Sequence, residues 1–197
     1  MRSNPATAIV CLPLLDAAAC DTLAGRLAAA AAWREGHVAL PAQAAAVAHV
    51  IRSCAVADVV DDPALARALA FVTQVNHGLY GFDLTSVVAT DPALAMRYRP
   101  GDHFDWHIDN GIEAVATRKL SFTVQLSDPS DYDGGDLEFA MYTAAGYAAA
   151  SAATQAQAAR QRGAIVIFPA FHLHRVSPVT RGERIALVGW VHGPRFR

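Results

Sequence analysis

Tyr98-Arg-Pro-Gly101-Asp-His-Phe104-Asp-Trp-His107-Ile-Asp109 ends in a histidine and an aspartate two residues apart. In an extended strand, positions i and i+2 project from one face, so one imidazole and one carboxylate can grip one metal ion there. Alone, His-x-Asp is a weak signal, since such pairs usually form a surface hydrogen bond or a salt bridge. Its weight comes from a second segment, Gly163-Ala-Ile-Val-Ile-Phe-Pro169-Ala-Phe-His-Leu-His174-Arg-Val-Ser-Pro178-Val-Thr-Arg-Gly182-Glu-Arg184, which supplies another imidazole at His174.

Two histidines and one carboxylate on one side of a metal suit non-haem Fe(II) and leave three positions open for chemistry. His172 would share the face of His174 in a regular strand and is the rival for the third ligand. Between the two segments, Lys119-Leu-Ser-Phe-Thr-Val-Gln-Leu126 alternates: Leu120, Phe122, Val124 and Leu126 share one face, Ser121, Thr123 and Gln125 the other. A polar face inside a small barrel lines a pocket, which makes Gln125 and Ser121 candidates to meet a ligand.

From about Leu84 the texture is one of short strands and turns, the pattern of a jelly-roll or double-stranded β-helix of the cupin kind. Upstream, Ala8 to Leu15 reads as a first strand. Asp16 to Trp33 is alanine-rich, with Leu23 and Leu27 at helical spacing and Asp16 as a cap, and Asp62-Pro63 opens a second helix through about Asn76. The expectation is one domain, mostly β with flanking helices (α+β): residues 1–85 form an N-terminal helical buttress, and residues 86–197 form the core. The alanine-rich stretch 142–162 reads as a connector between barrel strands, without chemistry of its own.

Composition narrows the class. The 197 residues suffice for one domain with a sizeable core. A hydrophobic share of 53%, a charged share of 17% and a net charge of −2 give no electrostatic footprint for nucleic acid or a membrane surface. No stretch approaches the roughly 20 apolar residues that span a bilayer. Cys11, Cys20 and Cys54 lie outside the motif segments and read as reduced thiols of a cytoplasmic protein.

Three pieces in order carry a resemblance: Tyr-x-x-Gly-x-x-Phe-x-x-His-x-Asp at 98–109, Ser-Asp-Pro-Ser-Asp-Tyr-Asp-Gly-Gly-Asp-Leu at 127–137, and Pro178, Val179, Gly182 and Arg184 at offsets 4, 5, 8 and 10 from His174. Over about residues 90–194 the chain resembles the prolyl 4-hydroxylase-like branch of the Fe(II)/2-oxoglutarate-dependent dioxygenases, including bacterial hydroxylases of the prolyl/lysyl hydroxylase-domain type. The resemblance implies Fe(II) held by His107, Asp109 and His174, with 2-oxoglutarate and O2 as cosubstrates and L-ascorbate as reductant. It implies hydroxylation of an unactivated C–H bond with release of succinate and CO2.

Arg184 stands where the family has a basic residue for the distal carboxylate of 2-oxoglutarate, and a guanidinium can hold a carboxylate with two parallel hydrogen bonds. Tyr98 resembles the tyrosine that donates to the cosubstrate. Gln125 stands where many members have a tyrosine, and Arg184 replaces the lysine of the collagen-type enzymes. The implied substrate is a prolyl or related residue in a peptide, or an amino-acid-derived small molecule; the N-terminal helices are expected to pack on the core, with a homodimer through them as the alternative.

Two other readings stand beside this one. An AlkB-like nucleic-acid demethylase would carry a second arginine six residues beyond the first, where this chain has Trp190. A cupin-like metal-binding or sensing module would bind metal without turnover. At the mouth of the expected barrel, the turn Asp128-Pro-Ser-Asp131-Tyr-Asp133-Gly-Gly-Asp136 is either a solvated loop or an acidic lip for a positively charged substrate, and Trp106 and Trp190 are candidates to shape the pocket.

Overall fold

Fourteen strands and two α-helices make up most of the residues that the computed structural model describes, which are 8–30, 32–36, 51–85, 91–143, 146–150 and 159–196. In order they are β1 (Val10–Pro13), α1 (Ala17–Ala30), β2 (Arg34–Glu35), β3 (Arg52–Ser53), β4 (Ala55–Val59), α2 (Pro63–Val75), β5 (Ala93–Tyr98), β6 (His103–His107), β7 (Arg118–Gln125), β8 (Tyr132–Gly134), β9 (Leu137–Thr143), β10 (Gly146–Ala150), β11 (Ala164–Pro169), β12 (His174–Val176), β13 (Val179–Gly182) and β14 (Arg184–His192). A seven-stranded antiparallel sheet runs β1-β11-β7-β14-β5-β4-β2, and a five-stranded one runs β10-β9-β12-β6-β3. β13 and β8 form a separate ribbon. The result is a mostly β jelly-roll with few helices.

β7 explains how the two layers are held. Leu120, Phe122 and Val124 share a buried cluster with Leu23 and Leu27 of α1 and Leu65, Ala68 and Val72 of α2, while the alternate residues Ser121, Thr123 and Gln125 turn toward the five-stranded sheet. Both faces of this central strand are therefore buried, and the helices cover one side of the larger sheet. A second cluster, with Val56, Met96, Tyr98, Val176, Val179 and Trp190, fills the space between the sheets.

Local chemistry sets the helix starts. Asp62 is extended (φ −102°, ψ 133°), accepts from the Ala64 N–H at 2.7 Å and precedes Pro63, whose ring suits the first helical turn. Asp16 accepts from the Ala19 N–H at 2.8 Å. The first 85 residues also contribute strands: β1, β2 and β4 extend the larger sheet and β3 edges the smaller one. These strands are two to five residues long, too short for their alternation to stand out in the sequence. Within the stretch 142–162, β10 folds back on β9 as a hairpin, whereas 151–158 lie outside the described residues.

Candidate metal centre and carboxylate pocket

The two sheets enclose a partly open cavity between them. Met96, Tyr98, Arg184, Val188 and Trp190 line it from the larger sheet, and Phe104, His107, Leu137, His174 and Val176 from the smaller. His107 and His174 are directly paired across β6 and β12. The next pair is Phe104 with Val176, so three steps on β6 match two on β12. This one-residue bulge turns Phe104 and His107 to the same face, and their rings stack at 3.5 Å.

Asp109 is placed differently from the simple strand expectation. β6 ends at His107, and Asp109 lies beyond it, fixed because its N–H and that of Asn110 both donate to the Ala170 carbonyl at 2.9 Å. His107 Nε2 lies 3.6 Å from Asp109 Oδ1 and His174 Nε2 lies 3.6 Å from Asp109 Oδ2, and three potential ligand atoms, one from each residue, fall within 4.8 Å of one another. That cluster could hold a metal ion. His172 is not part of it; its ring stacks on Phe171.

The imidazoles are oriented by backbone. His107 Nδ1 lies 2.7 Å from the Asp105 carbonyl and His174 Nδ1 lies 2.8 Å from that of His172. A carbonyl only accepts, so each Nδ1 carries the hydrogen and each Nε2 presents its lone pair to the cluster. Burial lowers the pKa of His174 to about 4, with His107 adding to the effect and Asp109 opposing it. Burial alone would raise the Asp109 carboxyl, but His174, His107 and the Ser121 hydroxyl beside it hold it well below the usual carboxylate range. The donor set is thus two imidazole Nε2 atoms and a carboxylate, which fits a divalent iron.

Arg184 is 4% exposed and lines the cavity. Among the described residues no carboxylate pairs with it; its guanidinium lies over the Tyr98 ring, 5.4 Å from the centroid. The Arg184 stem needs the glycine at 135, where φ is +63° and an added Cβ would stand 3.0 Å from Arg184 Cδ and 2.9 Å from Val179 Cγ2. Tyr98 is 1% exposed, its hydroxyl donates to Met96 Sδ at 3.4 Å, and burial raises its pKa.

Gln125 and Ser121 sit behind the cavity wall. The Gln125 amide nitrogen donates to the Ser127 carbonyl at 3.3 Å and the Tyr132 hydroxyl at 3.1 Å, and its Oε1 is buried without a partner among the described residues. The Ser121 hydroxyl donates to Asp109 Oδ2 at 2.6 Å.

Several groups near the site have roles that spacing did not reveal. Arg118 forks Asp91 with two 2.6 Å bonds, lies 3.6 Å over the Trp190 ring and reaches the Asp109 carbonyl at 3.3 Å. His192 is buried between Asp91 and Thr117, off the cavity wall. Trp106 faces away from the pocket, because it packs against Arg175, the outward neighbour of His174. The acidic turn is also internally paired, with Asp133 bound to Arg181 and Asp136 to Arg160. Two of its carboxylates are thereby committed to arginines of the same chain. Among the described residues, no helix is long and apolar enough to cross a membrane.

The sequence model of the 2OG-Fe(II) oxygenase superfamily matches residues 93–192. A PKHD-type hydroxylase of Synechococcus sp. (strain CC9902) is 29% identical over 163 residues, which are 81% of this chain and 65% of that protein. Several other such relatives are matched over about two fifths of their length, for example 40% in Maricaulis maris (strain MCS10). Among solved structures, a Pseudomonas putida prolyl-4-hydroxylase superposes with a TM-score of 0.64 at 22% identity, covering 95% of this chain and 94% of that one. A Trichoplax adhaerens prolyl hydroxylase, solved with a hypoxia inducible factor peptide fragment, gives 0.67 at 15% identity, covering 96% and 84%.

Proposed function

Because the chain belongs to the 2OG-Fe(II) oxygenase superfamily, we propose that it is a hydroxylase that uses Fe(II), 2-oxoglutarate and O2 to hydroxylate an unactivated C–H bond. Succinate and CO2 are the co-products. The observation that carries this reading is a buried guanidinium, Arg184, with no carboxylate partner among the described residues, in the same cavity as the His107, Asp109 and His174 cluster. A buried unpaired charge is costly, and a carboxylate brought in by a ligand offsets that cost. A molecule with a metal-binding end and a free carboxylate at the other end meets both features.

His107, Asp109 and His174 are assigned to the metal, which when bound supplies oxygen activation coupled to 2-oxoglutarate decarboxylation. The protein's own groups do the rest. The Asp105 and His172 carbonyls hold the Nδ1 hydrogens and keep both Nε2 atoms facing inward. Arg184 binds the distal carboxylate and Tyr98 walls the same end, with Gln125 and Ser121 in the layer behind. Met96, Phe104, Leu137, Val176 and Val188 line the cavity with apolar surface and exclude water.

For the substrate, the names of the relatives and of the two superposed structures support a prolyl or related residue in a peptide, or a small molecule derived from an amino acid. The chain reads as one domain, in which residues 1–85 flank and edge the core formed by 86–197 and the two helices brace the larger sheet. The test is succinate release from 2-oxoglutarate by the Fe(II)-loaded protein, with His174→Ala abolishing release and metal binding and His172→Ala retaining both. Metal binding without any succinate, across a panel of prolyl peptides and amino acids, would instead support a binding module.

A further inference from the structure

Asp109 is held on all sides, and one of those contacts decides how its carboxylate can meet a metal. Its N–H is spent on the Ala170 carbonyl and its own carbonyl receives Arg118. At the carboxylate, Ser121 donates to Oδ2 at 2.6 Å. Ser121 is fully buried on β7, where it pairs with Trp190 of β14. In this arrangement it serves Asp109, one layer behind the wall on which a cosubstrate would lie.

We propose that Ser121 is a positioning residue for the metal carboxylate: by engaging Oδ2 it leaves Oδ1 as the ligating oxygen and keeps Asp109 monodentate. This rests on the assignment of Asp109 as a metal ligand made above. A hydroxyl hydrogen on one carboxylate oxygen occupies a lone pair there and fixes the carboxylate's orientation, which leaves the other oxygen the freer one to ligate. Without it, the carboxylate is free to close on the metal through both oxygens. The second oxygen would then occupy a coordination position that the cosubstrate needs. The hydroxyl is thus expected to act on metal affinity and, separately, on cosubstrate affinity at saturating metal.

The experiment uses Co(II) as the probe, because its visible absorption reports coordination number without turnover. In the Ser121→Ala protein, Co(II) affinity measured against a competing chelator should fall by about tenfold to a hundredfold. The Co(II) bands should change in shape and lose intensity as the coordination number rises. The affinity for 2-oxoglutarate at saturating Co(II) should weaken as well. Ser121→Cys, close in size but a much weaker donor, should give the same spectral change and is the fallback if the alanine variant folds poorly. A variant spectrum identical to that of the unsubstituted protein overturns the proposal whatever the affinity does, since lost affinity with unchanged coordination is what simple loosening gives. If the unsubstituted protein binds no Co(II), or if His174→Ala binds it equally well, the metal assignment itself has failed. If the unsubstituted protein binds and Ser121→Ala is indistinguishable from it, only the role of Ser121 falls.

Discussion

Arg184 and His174 carry the two clearest consequences of single residues. Arg184→Ala removes a buried, forked partner for a carboxylate, a loss that typically costs about 2–5 kcal/mol, so affinity for 2-oxoglutarate should fall by tens of fold or more in a calorimetric titration. Arg184→Lys should recover part of it, because the charge stays and the fork is lost; unchanged affinity in Arg184→Ala would refute the assignment. His174 gives a pH signature in the metal-free protein. Its pKa is about 4 when folded and near 6.5 for the free side chain, so the folded state holds that proton less tightly. The His174 contribution to stability should therefore be level above about pH 6.5 and decline as pH falls toward 4, by on the order of 3 kcal/mol in total. Denaturant midpoints across this range check it, and His174→Ala should flatten the slope. That these residues meet in one cavity was legible in the sequence because residue type and offset carry it. The role of Ser121 was not: alternation placed it on the inner face, but only the fold shows that the inner neighbour is Asp109.

At the level of elements, pattern reading worked where the period was clean and failed where one residue shifted it. The alternation in 119–126 placed β7 correctly, and Asp62-Pro63 marked the start of α2, because strand period and capping chemistry are local. The bulge in β6 was invisible: a regular strand would put Phe104 and His107 on opposite faces, and the extra residue that brings them together is defined only by the register against β12. Trp106 was misplaced for the same reason. The β8 turn was read as acidic from its composition, although Arg160 and Arg181, distant in sequence, pair with it; Arg160 also donates to the Gly134 carbonyl and lies 4.4 Å over the Tyr132 ring. That turn passes close to the Arg184 stem at Gly135. Gly135→Ala should displace the Arg184 stem and strain a backbone at φ +63°. The expected result is weaker 2-oxoglutarate binding with Co(II) affinity retained, and loss of both together would point to general unfolding of the ribbon.

For the whole molecule, the important fact is which layer each group belongs to. His107 and His174 stand on the five-stranded sheet, whereas Arg184 stands on the seven-stranded one. A dicarboxylate that reaches from metal to guanidinium is then a rivet through both plates of the sandwich, adding a link at Arg184 to the one that Asp109 already makes through Ala170 and Ser121. Ligands that bind only the folded state raise its stability by mass action. Co(II) alone should raise the melting temperature, 2-oxoglutarate alone should do little, and the two together should exceed the sum of their separate effects; strict additivity in thermal melts would argue against a ligand shared by the sheets. In hydrogen-exchange terms, amides of β5 and β14 should slow only when both are present. The plates would then breathe more nearly as one body when the rivet is in than when it is out.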